Sequence, residues 1–224
     1  MAQTRTEDFR LDDGRALRVT YAEPDGVTRG GLVVLHEARG ITDTVTRMVA
    51  GLAEEGWLVV VPHLYAGEAG SAEVGHDEAR DKLSELSGES VLAATDIGFA
   101  WLARHGLTAD RIGVMGFELG GAVALVVGAS RDIGAAVTVS GGGILEPLSA
   151  GLPALVEVAG DLRVPWLGLY PEAGEAAIGQ EQVAKLREAA GTAKVATDVV
   201  RYRSDSGAAE AWQRALNWFD AHLR

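Results

Sequence analysis

The chain contains no cysteine. Disulfides, thiolate nucleophiles and cysteine-bound metals are therefore excluded, while the compartment stays open on this count. Basic residues are in deficit, with 20 Lys and Arg against 32 Asp and Glu, a formal charge of −12 and a pI near 4.8. A nucleic-acid partner needs basic patches to meet the phosphate backbone, so none is expected. No run approaches the ~18 apolar residues that a membrane span requires. The opening residues, MAQTRTEDFRLDDG, are polar and hold no apolar signal-peptide core. A soluble, cytoplasmic protein with no membrane partner is the expectation. Internal repeats and low-complexity tracts are also lacking.

What is present is ordinary for an enzyme-sized globule. Hydrophobic residues make up 47% and charged residues 23% of 224. One domain over 1–224 is expected, large enough to bury about 70% of its unfolded surface. Two short strands, 7-DFRL-10 and 16-ALRVTYAEP-24, flank an Asp-Asp-Gly turn at Asp12 to Gly14. Strand 31-GLVVLHE-37 is a continuous apolar run, as when both faces are covered. A helix over 43–56 follows, with Asp43 as N-cap and Gly56 as stop. Strand 57–65, a helix near 89–106 and strand 111–117 come next. Strand 133–142 leads to a loop, then strand 165–172, helix 179–191, strand 196–204 and a closing helix 208–223.

This alternation predicts an α/β fold with a mainly parallel central sheet and helices on both faces. In such sheets ligands bind beyond the carboxyl ends of the strands. The residues there are His36 and Glu37, His63, Glu118, Glu172 to Glu175, and Ser204 to Gly207.

The stretch 112-IGVMGFELGGAVAL-125 is the most specific local signal. An apolar strand reaches Gly116, turns through four residues and leaves as a small-residue helix. Strand, Gly-x-x-x-Gly-Gly, helix is the layout of a nucleophile elbow, where glycines let strand and helix meet closely. The central residue, however, is Glu118 rather than serine or cysteine.

At this point the sequence resembles the dienelactone hydrolase family of the α/β-hydrolase superfamily over nearly its whole length. That family's elbow reads Gly-Phe-Cys-x-Gly-Gly, against Gly116-Phe117-Glu118-Leu119-Gly120-Gly121. The segment 33-VVLHEARGIT-42 resembles its early strand, whose glutamate lies beside the nucleophile and matches Glu37. The segment 53-AEEGWLVVVPHLYAG-67 is similar to its Pro-Asp-Leu-Tyr stretch, with His63 in the aspartate's place. The segment 212-WQRALNWFDAHL-223 resembles its closing helix.

All three triad positions depart from the family. Glu118 replaces the cysteine, Gly174 stands where the aspartate is expected, and 202-YRSDSGAAEAW-212 lacks the histidine. An acyl-enzyme relay needs nucleophile, base and orienting group. By resemblance the oxyanion hole would survive, since the amides of Leu119 and Ala38 do not depend on side-chain identity. The resemblance also implies that Glu37 points at Glu118. Two ionised carboxylates ~4 Å apart repel by about 4 kcal/mol at an effective dielectric of ~20, so one is expected to hold a proton near neutrality.

Such a pair supplies an acid and a base. It suits isomerisation, cyclisation, epoxide opening or dehydration of a small-molecule substrate, with His63 and His36 as further substrate-side groups. Two other functions remain open: a catalytically silent binding protein, with Glu118 locked by Arg39 or another cation, and a residual carboxylic-ester or lactone hydrolase. Glu118 as an attacking carboxylate lacks the histidine that would activate water. His76 lies in a polar segment that could cover the site. His36, Glu37, His63 and Glu118 show no HExxH-type spacing, so neither metal nor other cofactor is expected.

Overall fold

A computed structural model describes residues 2–37, 39–65, 86–174, 177–203 and 207–224. The chain opens with an antiparallel hairpin, β1 (Thr4–Arg10) and β2 (Ala16–Ala22), in register from Thr4↔Ala22 to Arg10↔Ala16. Gly14 makes the turn at φ +90°, where a side chain would be strained. The strands that follow are β3 (Gly30–Leu35), β4 (Trp57–Pro62), β5 (Ile112–Phe117), β6 (Ala135–Val139), β7 (Trp166–Pro171) and β8 (Thr197–Tyr202). They form one sheet in the order β1-β2-β4-β3-β5-β6-β7-β8. β2 meets β4 antiparallel, and every pairing from β4 to β8 is parallel.

The helices are α1 (Asp43–Glu54), α2 (Gly88–Arg104), α3 (Leu119–Ser130), α4 (Leu155–Val158), α5 (Gln180–Ala190) and α6 (Ala208–His222). Strand pleating divides the core into two layers. Val33, Leu35, Val60 and Val114 face α2, α3 and α5, packing with Val91, Trp101, Val123 and Leu186. Leu32, Val34, Val59 and Met115 face α1 and α6, packing with Val49, Leu52, Ala215 and Phe219. The unbroken apolar runs of β3 and β4 follow from this, since both faces are covered. Among the described residues no helix is long and apolar enough to cross a membrane.

Several element ends differ from the sequence expectation. Thr42, not Asp43, caps α1: its Oγ1 accepts from the Val45 amide at 3.3 Å, and Asp43 lies in the first turn beside the positive helix end. β3 stops at Leu35, which releases His36 and Glu37 into the loop. α3 begins directly after Glu118 and runs to Ser130. Part of the segment after β6 coils into α4, whose apolar residues carried no clear period.

The strand order explains where a site can form. The chain passes from β3 to β4 on one side, then returns to place β5 on the other side of β3. Helices on opposite faces diverge at such a switch point and leave a crevice at the carboxyl ends of the two strands. Glu37 follows β3 there, and Glu118 follows β5.

Candidate active site

Packing dictates the elbow. A Cβ on Gly116 would lie 1.9 Å from the Gly120 carbonyl oxygen, and one on Gly120 would lie 2.7 Å from the Leu35 oxygen. A Cβ on Gly121 would lie 2.8 Å from the Val139 oxygen. Between these glycines Glu118 is forced to φ 51° and ψ −110°, a conformation costing a non-glycine residue about 1–3 kcal/mol. Its amide donates to the Val139 carbonyl at 3.0 Å, and its carbonyl accepts from the Ala122 amide at 3.0 Å. Below the turn, the Trp166 indole donates to Thr138 Oγ1 at 2.9 Å, and that hydroxyl donates to the Gly121 carbonyl at 2.8 Å. This buried chain ties β6 and β7 to the start of α3. Leu119, the first residue of α3, has an amide with no acceptor inside the helix.

Register brings the two glutamates together. Leu35 pairs with Gly116, so Glu37 and Glu118 each stand two residues past a paired position on neighbouring parallel strands. Both are half-buried. The phenol of Tyr65, just past β4, is pushed up to about 12, first by burial and then by the negative charges of Glu118 and Glu37. One side chain thus senses both carboxylates.

The histidines take other roles. His36 is 2% exposed. Its Nδ1 donates to the Glu37 carbonyl at 2.7 Å and its Nε2 accepts from the Leu64 amide at 3.2 Å. The ring also lies 5.5 Å from that of Tyr65. Burial holds its pKa down at about 4, so it stays neutral at pH 7. With both nitrogens engaged, His36 is a clamp between the Glu37 and Tyr65 loops, and the expectation of a substrate contact gains nothing from its placement. His63 Nε2 pairs with Thr20 Oγ1 at 2.9 Å, and its environment includes Arg18 and Asp8 of the hairpin. Ala38, His76, Glu175 and Ser204 to Ser206 lie outside the described residues. Gly174 occupies an exposed turn at φ +104°.

Three residues had escaped assignment from sequence. Tyr65 stood inside the quoted Pro-His-Leu-Tyr segment without a role. Thr138 and Ser140 lay on a strand read only as apolar. Ser140 has φ 53°, and the Gly-Gly-Gly that follows it was the available hint of an unusual turn.

The dienelactone hydrolase family model matches residues 17–223. The chain belongs to that family. A Yersinia pestis protein provisionally named carboxymethylenebutenolidase is 26% identical over 93% of this chain and 85% of its own. A Salmonella typhi protein of the same provisional name is 29% identical over 89% and 80%. A crystal structure of a provisionally assigned dienelactone hydrolase from Klebsiella pneumoniae superposes with TM-score 0.82 at 26% identity, covering 97% of this chain and 98% of that one. A dienelactone hydrolase-like promiscuous phosphotriesterase from metagenomic libraries shares the fold, with TM-score 0.78 at 16% identity over 100% and 99% of the two chains. The α/β-hydrolase fold and the dienelactone hydrolase-like character of the chain are thereby established.

Proposed function

We propose that this family member is a small-molecule enzyme in which Glu118 and Glu37 act as a carboxylate pair. When the two share a proton, one serves as general acid and the other as general base. Tyr65 closes the group as a neutral phenol able to hold a substrate oxygen or pass a proton. The Leu119 amide, at the positive end of α3, offers a hydrogen bond to an oxygen that gains charge. Ala38 would supply the second such amide.

This reading is supported by the register that sets Glu37 and Glu118 at one height after neighbouring strands, and by a Tyr65 phenol that feels the negative charge of both. That arrangement supports reactions that move protons on a neutral or weakly charged substrate: isomerisation, cyclisation, epoxide opening or dehydration. The test is a substrate panel covering those classes, run with wild type, Glu118→Gln and Glu37→Gln. Each variant is expected to fold normally and to lose turnover by about 100-fold or more. Full activity in Glu118→Gln would remove that residue from the mechanism.

A second reading, retained carboxylic-ester or lactone hydrolysis, is favoured by the names of the relatives. It requires a nucleophile other than the missing cysteine.

A further inference from the structure

Two non-glycine residues among those described have positive φ: Glu118 at 51° and Ser140 at 53°. They are neighbours. β5 and β6 pair in parallel up to Phe117↔Val139, so Glu118 and Ser140 are the next residues of adjacent strands. The two turns also pack against each other. A Cβ on Gly121 would come within 3.1 Å of Gly141 Cα, and one on Gly141 within 3.1 Å of the Ala122 nitrogen.

Ser140 is held firmly in this unfavourable conformation. Its amide donates to the Leu169 carbonyl at 2.9 Å, and the buried Tyr170 hydroxyl reaches the Gly141 carbonyl at 3.4 Å. The residue is 7% exposed, yet its hydroxyl makes no hydrogen bond among the described residues. That hydroxyl is not among the buried side-chain atoms left without a partner, so it is open to solvent. Strain in a non-glycine residue persists only where the surroundings over-determine it, and such sites cluster at functional centres. Here a strained serine with an unengaged hydroxyl adjoins a strained carboxylate, beside the free amide end of α3.

We propose that Ser140 is a nucleophile for small esters and lactones, with Glu118 as its base. The chemistry balances within the chain. Ser140 Oγ attacks the carbonyl carbon while its proton passes to a Glu118 carboxylate oxygen. The developing oxyanion is received by the Leu119 amide. The carbon–oxygen bond to the leaving alcohol then breaks, and that oxygen takes the proton from Glu118. Water, deprotonated by the same carboxylate, hydrolyses the acyl-serine, releases the acid and restores the Oγ–H. This places the nucleophile one strand over from the elbow. It rests on the preceding reading only in using Glu118 as a proton acceptor.

The test is reaction with an alkyl fluorophosphonate, which forms a serine–phosphorus bond with loss of fluoride and needs no known substrate. Intact-mass and peptide mass spectrometry are expected to show one adduct per chain, on Ser140. The adduct is expected to vanish in Ser140→Ala and to form at least tenfold more slowly in Glu118→Gln. Circular dichroism confirms that each variant folds. No adduct on wild type, an adduct on another residue, or an unchanged rate in Glu118→Gln would overturn the proposal. Because labelling requires neither turnover nor Glu37, such a failure would leave the carboxylate-pair reading to be judged by its own substrate panel.

Discussion

At the scale of single residues, the site depends on side chains kept in states that water would not favour. His36 is the clearest case. Burial lowers its folded pKa to about 4, from 6.5 when exposed, so the unfolded chain binds more protons between those values. Stability is therefore greatest above pH 6.5 and falls as pH drops toward 4. His63 shifts in the same direction, also to about 4, first through burial and then through the positive charge of Arg18. Between pH 7 and 5, His36 is expected to account for about 2 kcal/mol of lost stability. Urea titrations of wild type and His36→Gln across that range should show a shallower pH dependence in the variant. Equal slopes would contradict the clamp. None of this was legible in the motif, because a histidine beside a strand-end glutamate reads equally as ligand, catalyst or clamp until its two partners are seen.

At the scale of elements, the elbow is where sequence and structure agree most closely. Gly116, Gly120 and Gly121 are required because backbone occupies the space their side chains would need, and a spaced glycine pattern between apolar runs advertises that crowding. The polar chain beneath it was not legible. Thr138 sits on an apolar strand and reads as filler, yet it links the Trp166 indole to the first turn of α3. Thr138→Val keeps the shape but leaves the buried Trp166 indole N–H without its acceptor. A loss of about 1–3 kcal/mol is expected in chemical denaturation, whereas Thr138→Ser should recover most of it. Element ends were the least readable feature, since the Thr42 cap and the early stop of β3 depend on hydrogen bonds that neighbouring residues could equally have made.

At the scale of the whole molecule, the alternation of strands and helices was sufficient to specify a parallel sheet, and the sheet order then determined the rest. A switch point between β3 and β5 sets Glu37 and Glu118 at one height on adjacent strands. The resemblance had paired these glutamates. Tyr65 and Ser140 arrive from β4 and β6, the outer neighbours of those two strands, so no local pattern could join them to the group. The central claim is that the two glutamates act on one another. It is tested most directly by carboxyl-carbon NMR titration of Glu118 in wild type and in Glu37→Gln. If the pair is real, removing the neighbouring negative charge should move the Glu118 titration to lower pH. A Glu118 curve unmoved by Glu37→Gln would contradict the account.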